Sequence, residues 1–314
     1  MKIRLGYVAI SKTLSNITTS STLTYSNYSK LDNKNEVLDK IIKSNLEALN
    51  EILIYNKKNN IHFYRMSSNL IPLATHDKVN FDYISDYKTL YKKVANTIKN
   101  TNIRVDFHPN QYCILNSVSK SVVKNSIEIL EYHENLLREF ELNNSVILLH
   151  VGSMAGGKKA ATSRFINNFN KLPENIRQVI ALENDDKVYK VEDTLYICEK
   201  LNIPCVLDYH HYLCNHEKDI NDLLPRIFNT WKNNTVKMHF SSPKSKLKRE
   251  FRSHNDYIEA SSFICFLEML KPYNIDIDIM LEAKEKDVAL FKLVRELKYK
   301  TNYNFIDETS FIIN

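Results

Sequence analysis

Short runs of aliphatic, β-branched and aromatic residues recur at Ile3–Ile10, Ile61–Ser67, Ile103–Phe107, Val146–Val151, Val179–Leu182, Pro204–Leu207, Thr235–Phe240 and Ile275–Leu281, and each predicts a strand. Between them, Val37–Tyr55, Tyr87–Ile98, Val122–Phe140, Val191–Leu201, Ile258–Leu270 and Val288–Leu297 carry apolar residues at helical spacing. Runs such as Val146-Ile147-Leu148-Leu149 are apolar nearly throughout, as parallel strands buried on both faces read. Strand alternating with helix in this way predicts an α/β protein, a single (β/α)₈ TIM barrel over residues 1–314. The alternative is an open doubly wound sheet, with its ligand at a switch point. No repeat, low-complexity tract or Pro/Gly/Ser linker divides the chain.

Composition narrows the chemistry. With 314 residues and 43% hydrophobic content the chain can bury a large core without disulfides or structural metal. The five cysteines, Cys113, Cys198, Cys205, Cys214 and Cys265, form no C-x-x-C pair, and an odd number cannot all pair within one chain. A reduced, cytoplasmic protein is expected. No apolar run fits a signal peptide or a membrane span. The four glycines, Gly6, Gly152, Gly156 and Gly157, cannot build a dinucleotide or Walker loop, which excludes cofactor folds that need one. The net charge of +6 comes from 33 Lys and only 10 Arg, a balance suited to following phosphates rather than reading base edges.

A barrel places its active site at the C-terminal ends of its strands, and metal-binding residue types gather at those positions. His76 follows the second strand, the third ends in His108-Pro109, the fourth in His150, and the fifth in Glu183-Asn184-Asp185-Asp186. The sixth ends in Asp208-Tyr209-His210-His211 and the seventh in Lys237-Met238-His239, with His254 in the loop beyond; the eighth ends in Glu282-Ala283-Lys284. A lone strand-end His is more often a hydrogen-bonded cap than a ligand, but a barrel funnels all these ends toward one axis. His133, mid-helix, and His62, early in its strand, read as structural, and His216 as a surface residue. Of His210 and His211, only one can readily face the axis. His and carboxylate ligands without Cys suit Zn²⁺, Mn²⁺ or Fe²⁺, and their number implies more than one metal, the usual apparatus for phosphodiester hydrolysis. Lys237 is out of place among cations. It must be neutral, carboxylated, or turned toward a phosphate.

Leu5-Gly6-Tyr7, Tyr64-Arg65-Met66-Ser67-Ser68, His108-Pro109-Asn110-Gln111-Tyr112, His150-Val151-Gly152, Leu182-Glu183-Asn184-Asp185-Asp186, Leu207-Asp208-Tyr209-His210-His211, Lys237-Met238-His239-Phe240-Ser241, His254-Asn255-Asp256-Tyr257 and Met280-Leu281-Glu282-Ala283-Lys284 together resemble, in order, the UV damage endonucleases. The resemblance implies ATP-independent incision immediately 5′ to cyclobutane pyrimidine dimers and 6-4 photoproducts in duplex DNA. It implies three divalent metals, Mn²⁺ favoured over Zn²⁺, Co²⁺ or Mg²⁺, and no nucleotide cofactor. His76, His108, His150, Glu183, Asp208, His211, His239, His254 and Glu282 are then the ligands, joined by a carboxylated Lys237, and Glu183, Glu282, Lys237 and His239 carry the catalysis. Gln111 and Tyr112 would wedge into the duplex at the lesion, and Tyr7 would line the lesion pocket. Ser11 stands where the family carries Asn, so its contact would run through water.

Lys158 and Lys159, with Lys244, Lys246, Lys248, Arg249 and Arg252, follow the fourth and seventh strands and are expected to track phosphates. The expected protein is a monomer without membrane contact. Three rivals share parts of this pattern: an abasic-site endonuclease on a similar trinuclear barrel, a divalent-metal sugar isomerase, and a non-catalytic lesion-binding protein with structural metals.

Overall fold

The computed structural model describes residues 1–314 and bears out the barrel. Eight parallel strands, β1 (Lys2–Val8), β2 (Phe63–Arg65), β3 (Arg104–Asp106), β4 (Ile147–His150), β5 (Ile180–Glu183), β6 (Cys205–Asp208), β7 (Val236–Phe240) and β8 (Ile277–Leu281), run in the order β3-β2-β1-β8-β7-β6-β5-β4. Closure between β3 and β4 falls to Phe107, whose N–H donates to the Val146 carbonyl at 3.1 Å and whose carbonyl accepts from Leu148 N–H at 2.9 Å. Outside lie α1 (Tyr25–Tyr28), α2 (Lys34–Lys58), α3 (Lys88–Thr101), α4 (Lys120–Glu139), α5 (Lys158–Phe169), α6 (Glu174–Val179), α7 (Val191–Leu201), α8 (Tyr209–Cys214), α9 (Ile220–Thr230), α10 (Ala260–Leu270) and α11 (Lys286–Lys300). None is long and apolar enough to cross a membrane.

The helices form for the reasons the periodicity gave. Helix α2 buries Leu38, Ile42, Leu46, Leu49 and Leu53, one stripe against the barrel. The sequence did not reveal α5, whose buried stripe is only Ala161, Phe165 and Phe169, or α9, which tolerates Pro225 in its interior. It also did not reveal a short hairpin, β9 (Asn304–Phe305) and β10 (Ser310–Ile312), which adds antiparallel to β1 with Ile3 opposite Phe311. This hairpin covers the start of β1, where β2 has not yet begun. Its Asp307 Oδ2 also meets His62 Nε2 at 2.7 Å, a structural role for that histidine.

Strand alternation sends apolar residues outward to the helices and charges inward. Along β7, Val236, Met238 and Phe240 alternate with Lys237 and His239, all buried. The barrel interior therefore holds buried ion pairs among apolar side chains that share their parity, such as Phe63, Leu148 and Met280. At its lower end Asp278 accepts from Arg4 Nε and Nη2 at 2.5 and 2.6 Å and from Arg104 Nη1 at 2.9 Å. One level up, Lys237 Nζ donates to Asp106 Oδ2 at 2.9 Å. Gly6 lets β1 and β2 approach so closely that a Cβ there would collide with the Phe63 carbonyl. Below Asp278, a cavity of about 720 Å³ is lined by Arg4, Arg104, Lys99 and a set of asparagines.

Candidate functional site

The upper end of the barrel interior is where the strand-end residues meet. Glu183, the last residue of β5, is almost fully buried and central: its Oε1 is 3.1 Å from His239 Nδ1 and 3.5 Å from His211 Nδ1, and its Oε2 is 3.3 Å from His108 Nε2. His150 packs between His108 and His211, with ring centroids 5.2 and 5.7 Å away. Glu282 Oε1 lies 3.3 Å from His239 Nδ1, and its Oε2 is 3.7 Å from His254 Nδ1. Two groups of ligand atoms result, His108–His150–Glu183 and Glu183–Asp208–His239–Glu282, each with its atoms within 4.8 Å of one another and sharing Glu183.

Local structure sets these side chains. Asp208 caps α8 through its Oδ1, which accepts the His211 N–H at 2.8 Å. Asn184 ties β5 to β6, its side chain accepting from Asp208 N–H at 2.9 Å and donating to the Asp208 carbonyl at 3.0 Å. The Asn184 carbonyl stands 3.0 Å from His211 Nδ1, the same nitrogen that lies 3.5 Å from Glu183 Oε1 and 3.7 Å from Asp208 Oδ2. The axis thus receives His211, while His210 is buried against Phe251 and Cys214. The loop after β7 folds back through a Pro243–His254 bridge and is fastened to the end of β8 by Lys284 N–H to the Asn255 carbonyl, 3.1 Å.

Electrostatics agree with a site built for cations. Burial alone would raise the Glu183 and Glu282 pKa values, but His239 and His150 around Glu183, and Arg65 and His239 around Glu282, hold both well below the usual range. Glu183 Oε2, Asp208 Oδ2 and His150 Nδ1 are buried without a hydrogen-bond partner. Hard oxygens and imidazoles converging with orphaned lone pairs fit divalent metal ions.

Stability of the metal-free protein should depend on pH in two directions. Burial pushes His108 and His133 down to about 4, so their contribution is full above the ordinary value of 6.5 and is lost as pH falls toward 4. Burial would also lower His211, but Asp208, Glu183 and Glu282 outweigh it and raise it to about 9; its contribution is full below 6.5 and is lost as pH rises through 9. In EDTA, the melting temperature is expected to peak near pH 6.5 and fall on both sides. A flat profile would show that these imidazoles do not titrate as described.

Other expected site residues stand elsewhere. His76 stacks on Tyr25 at 4.2 Å with its Nδ1 3.3 Å from Asp77, and makes no contact with the cluster. Tyr7 is fully buried, its hydroxyl donating to Asn56 Oδ1 on α2 at 2.8 Å, and Ser11 is buried with its hydroxyl donating to Asp287 Oδ2 at 2.7 Å. Strand parity explains Tyr7: Arg4 points inward on β1, so Tyr7, three residues on, points outward. Lys237 lies below the ligands, its pKa pushed down to about 8 by burial against the opposing pull of Asp106. Gln111 and Tyr112 project from the rim, Tyr112 at 68% exposure, on a turn in which Asn110 Oδ1 accepts the Tyr112 N–H at 3.0 Å. Beside them a cavity of about 320 Å³ runs from His108 and His150 to Asp185–Val188.

On the rim, Lys159, Lys244, Lys246, Lys248 and Arg249 are exposed without an ion-pair partner, whereas Lys158 Nζ meets Asp193 at 2.6 Å and Arg252 Nε lies 3.7 Å from Asp186. Sequence reasoning missed Arg65 and Asp106. Both end strands and point inward, but neither Arg nor a carboxylate paired with Lys is a ligand type that stands out by spacing.

The sequence profile of the UV-endonuclease UvdE family matches residues 3–310. The chain is 42% identical over 304 residues to a UV DNA damage endonuclease of Bacillus cereus (strain B4264), covering 95% of each. A crystal structure of SacUVDE superposes with a TM-score of 0.85 at 36% identity, covering 95% of this chain and 98% of that one. Endonuclease IV from Thermus thermophilus superposes at 0.58 with 9% identity, over 95% and 100%, a likeness of fold alone.

Proposed function

The chain belongs to the UV-endonuclease UvdE family and is a UV DNA damage endonuclease, and from that premise we propose that it cuts the phosphodiester backbone immediately 5′ to cyclobutane pyrimidine dimers and 6-4 photoproducts, hydrolytically and without ATP. One observation carries the reading: Glu183 joins two groups of His and carboxylate ligands at the mouth of the barrel, under an exposed Gln111-Tyr112 turn. His108, His150, Glu183, Asp208, His211, His239, His254 and Glu282 would hold the metals, three Mn²⁺ ions in this reading. Bound there, such ions supply a water acidified toward neutral pH and charge to offset the leaving 3′ oxygen.

The chain's own residues do the rest. Lys159, Lys244 and Lys246 follow the backbone across the mouth, and the Lys-rich rim reads shape and deformability rather than bases. Tyr112 enters the stack and Gln111 replaces the lost pairing edge; a photoproduct, already poorly stacked, costs less to extrude than intact bases. The 320 Å³ cavity beside this turn receives an extruded base. Glu183 and Glu282 fix the spacing of the ligands, and cutting leaves 3′-hydroxyl and 5′-phosphate ends. In this reading the protein works as a single-domain monomer in the cytoplasm, its five cysteines free thiols.

The test is incision of supercoiled plasmid, irradiated or not, with Mn²⁺ or EDTA and no ATP. Nicking confined to irradiated, metal-supplied plasmid, with the end mapped 5′ to the lesion, is the expected result. Cutting of abasic duplex alone would move the assignment to an abasic-site nuclease. Tyr112→Ala should lower the preference for irradiated over intact duplex about tenfold or more, the loss of one stacking contact. Unchanged discrimination would remove the wedge.

A further inference from the structure

Arg65 closes β2 with its side chain on the barrel axis, where a fixed positive charge stands among the candidate metal ligands. Its Nη2 lies 2.6 Å from Glu282 Oε1 and 2.9 Å from His239 Nε2. Its Nε is buried with no partner, so the guanidinium is aimed at these two acceptors rather than held by a full set of its own. Arginine does not shed its proton in proteins. The same Nη2 is 3.3 Å from His239 Nδ1, so the guanidinium lies against the imidazole, while Nδ1 faces the carboxylates, 3.1 Å from Glu183 Oε1 and 3.3 Å from Glu282 Oε1.

A divalent cation taking Glu282 Oε1 therefore meets the guanidinium already held there at 2.6 Å, and the two positive charges compete for one carboxylate oxygen. The opposite service is equally clear. Glu183, Asp208 and Glu282 converge within 4.8 Å, and the nearest cationic side chain among them is Arg65. Uncompensated, these carboxylates would repel one another in a buried place.

We propose that Arg65 is the built-in counter-cation of the metal centre: it holds Glu282 and His239 in position while the centre is empty, and competes with the incoming divalent ion, thereby setting its affinity. The proposal rests on the reading that this group takes divalent metals. A residue that merely oriented the ligands would act in the opposite sense, because its removal would weaken metal binding.

Calorimetric titration of metal-stripped wild type and Arg65→Met with Mn²⁺, together with melting in EDTA and in saturating Mn²⁺, separates these roles. One Mn²⁺-binding step in Arg65→Met is expected to tighten about tenfold, the removal of a nearby positive charge. Its melting temperature should fall below wild type in EDTA and regain most of that deficit with Mn²⁺. Arg65→Lys, which keeps the charge, should bind Mn²⁺ within about threefold of wild type. Equal or weaker Mn²⁺ binding by Arg65→Met, or a melting deficit that Mn²⁺ leaves unchanged, overturns the proposal while leaving the metal reading intact; Mn²⁺ uptake by neither protein overturns both. Should Arg65→Met not fold in either condition, the ¹⁵Nε–H resonance of Arg65 in the wild type, assigned by its loss in Arg65→Lys, must move on titration with diamagnetic Zn²⁺, and an unmoved signal overturns it.

Discussion

Glutamine in place of Glu183 is expected to reduce single-turnover incision of irradiated duplex by about a thousandfold or more, since metal charge stabilisation supplies several kcal/mol and each 1.4 kcal/mol is a factor of ten. The substitution keeps the size of the side chain but removes the charge shared by both ligand groups. An amide also keeps only one acceptor oxygen where the carboxylate now offers two to rings 3.1 to 3.5 Å away. Binding to the same duplex should stay within about threefold, because Glu183 is buried below the rim whose lysines, in the proposed reading, would meet the phosphates. Anisotropy and end-labelled nicking read the two quantities separately. Incision that survives would place the chemistry elsewhere in the barrel.

The second large effect is on stability. Asp278→Asn is expected to cost about 3 kcal/mol, the lower end for breaking a buried ion pair, because Arg4 keeps some solvent contact. Asp278 accepts three hydrogen bonds from two arginines that share no other carboxylate at this distance, and its loss leaves both cations facing each other across the lower barrel. Urea unfolding with an unchanged slope would report it directly. A loss under about 1 kcal/mol would mean that water from the cavity below hydrates the freed guanidinium groups, a relief that fully enclosed charges do not have.

The barrel was legible because its strands repeat one device. In Val236-Lys237-Met238-His239-Phe240 the apolar residues announce the outer face and the polar ones the inner, and the loop-side ends carry the ligand types. Most of the cluster, from His108 to Glu282, could be placed by strand position alone. What could not be read depends on partners distant in sequence. Lys237 meets Asp106 across 131 positions, and nothing local to either residue announces the pairing. The resemblance implies a lesion-pocket role for Tyr7, but strand parity with the inward Arg4 sends its hydroxyl to Asn56 instead. For Ser11 the resemblance implies a contact through water, yet the chain after β1 folds back onto Asp287, which takes the Ser11 hydroxyl and also accepts the Lys12 N–H at 2.6 Å. His76 follows β2 by a loop long enough to carry it to Tyr25.

The pairing of β1 with β8 and β10 bears on how the protein is made. Ile3 finds its neighbours at Ile277 and Phe311, so a ribosome adding about 5–20 residues per second leaves one edge of the first strand unmatched for roughly 15 to 60 seconds. An unmatched edge invites pairing with other nascent chains. Lys2 and Arg4 sit on that edge with charges two residues apart, a spacing that discourages such pairing. The arginine that is neutralised by Asp278 inside the finished barrel is, until Asp278 has been synthesised, a guard against aggregation.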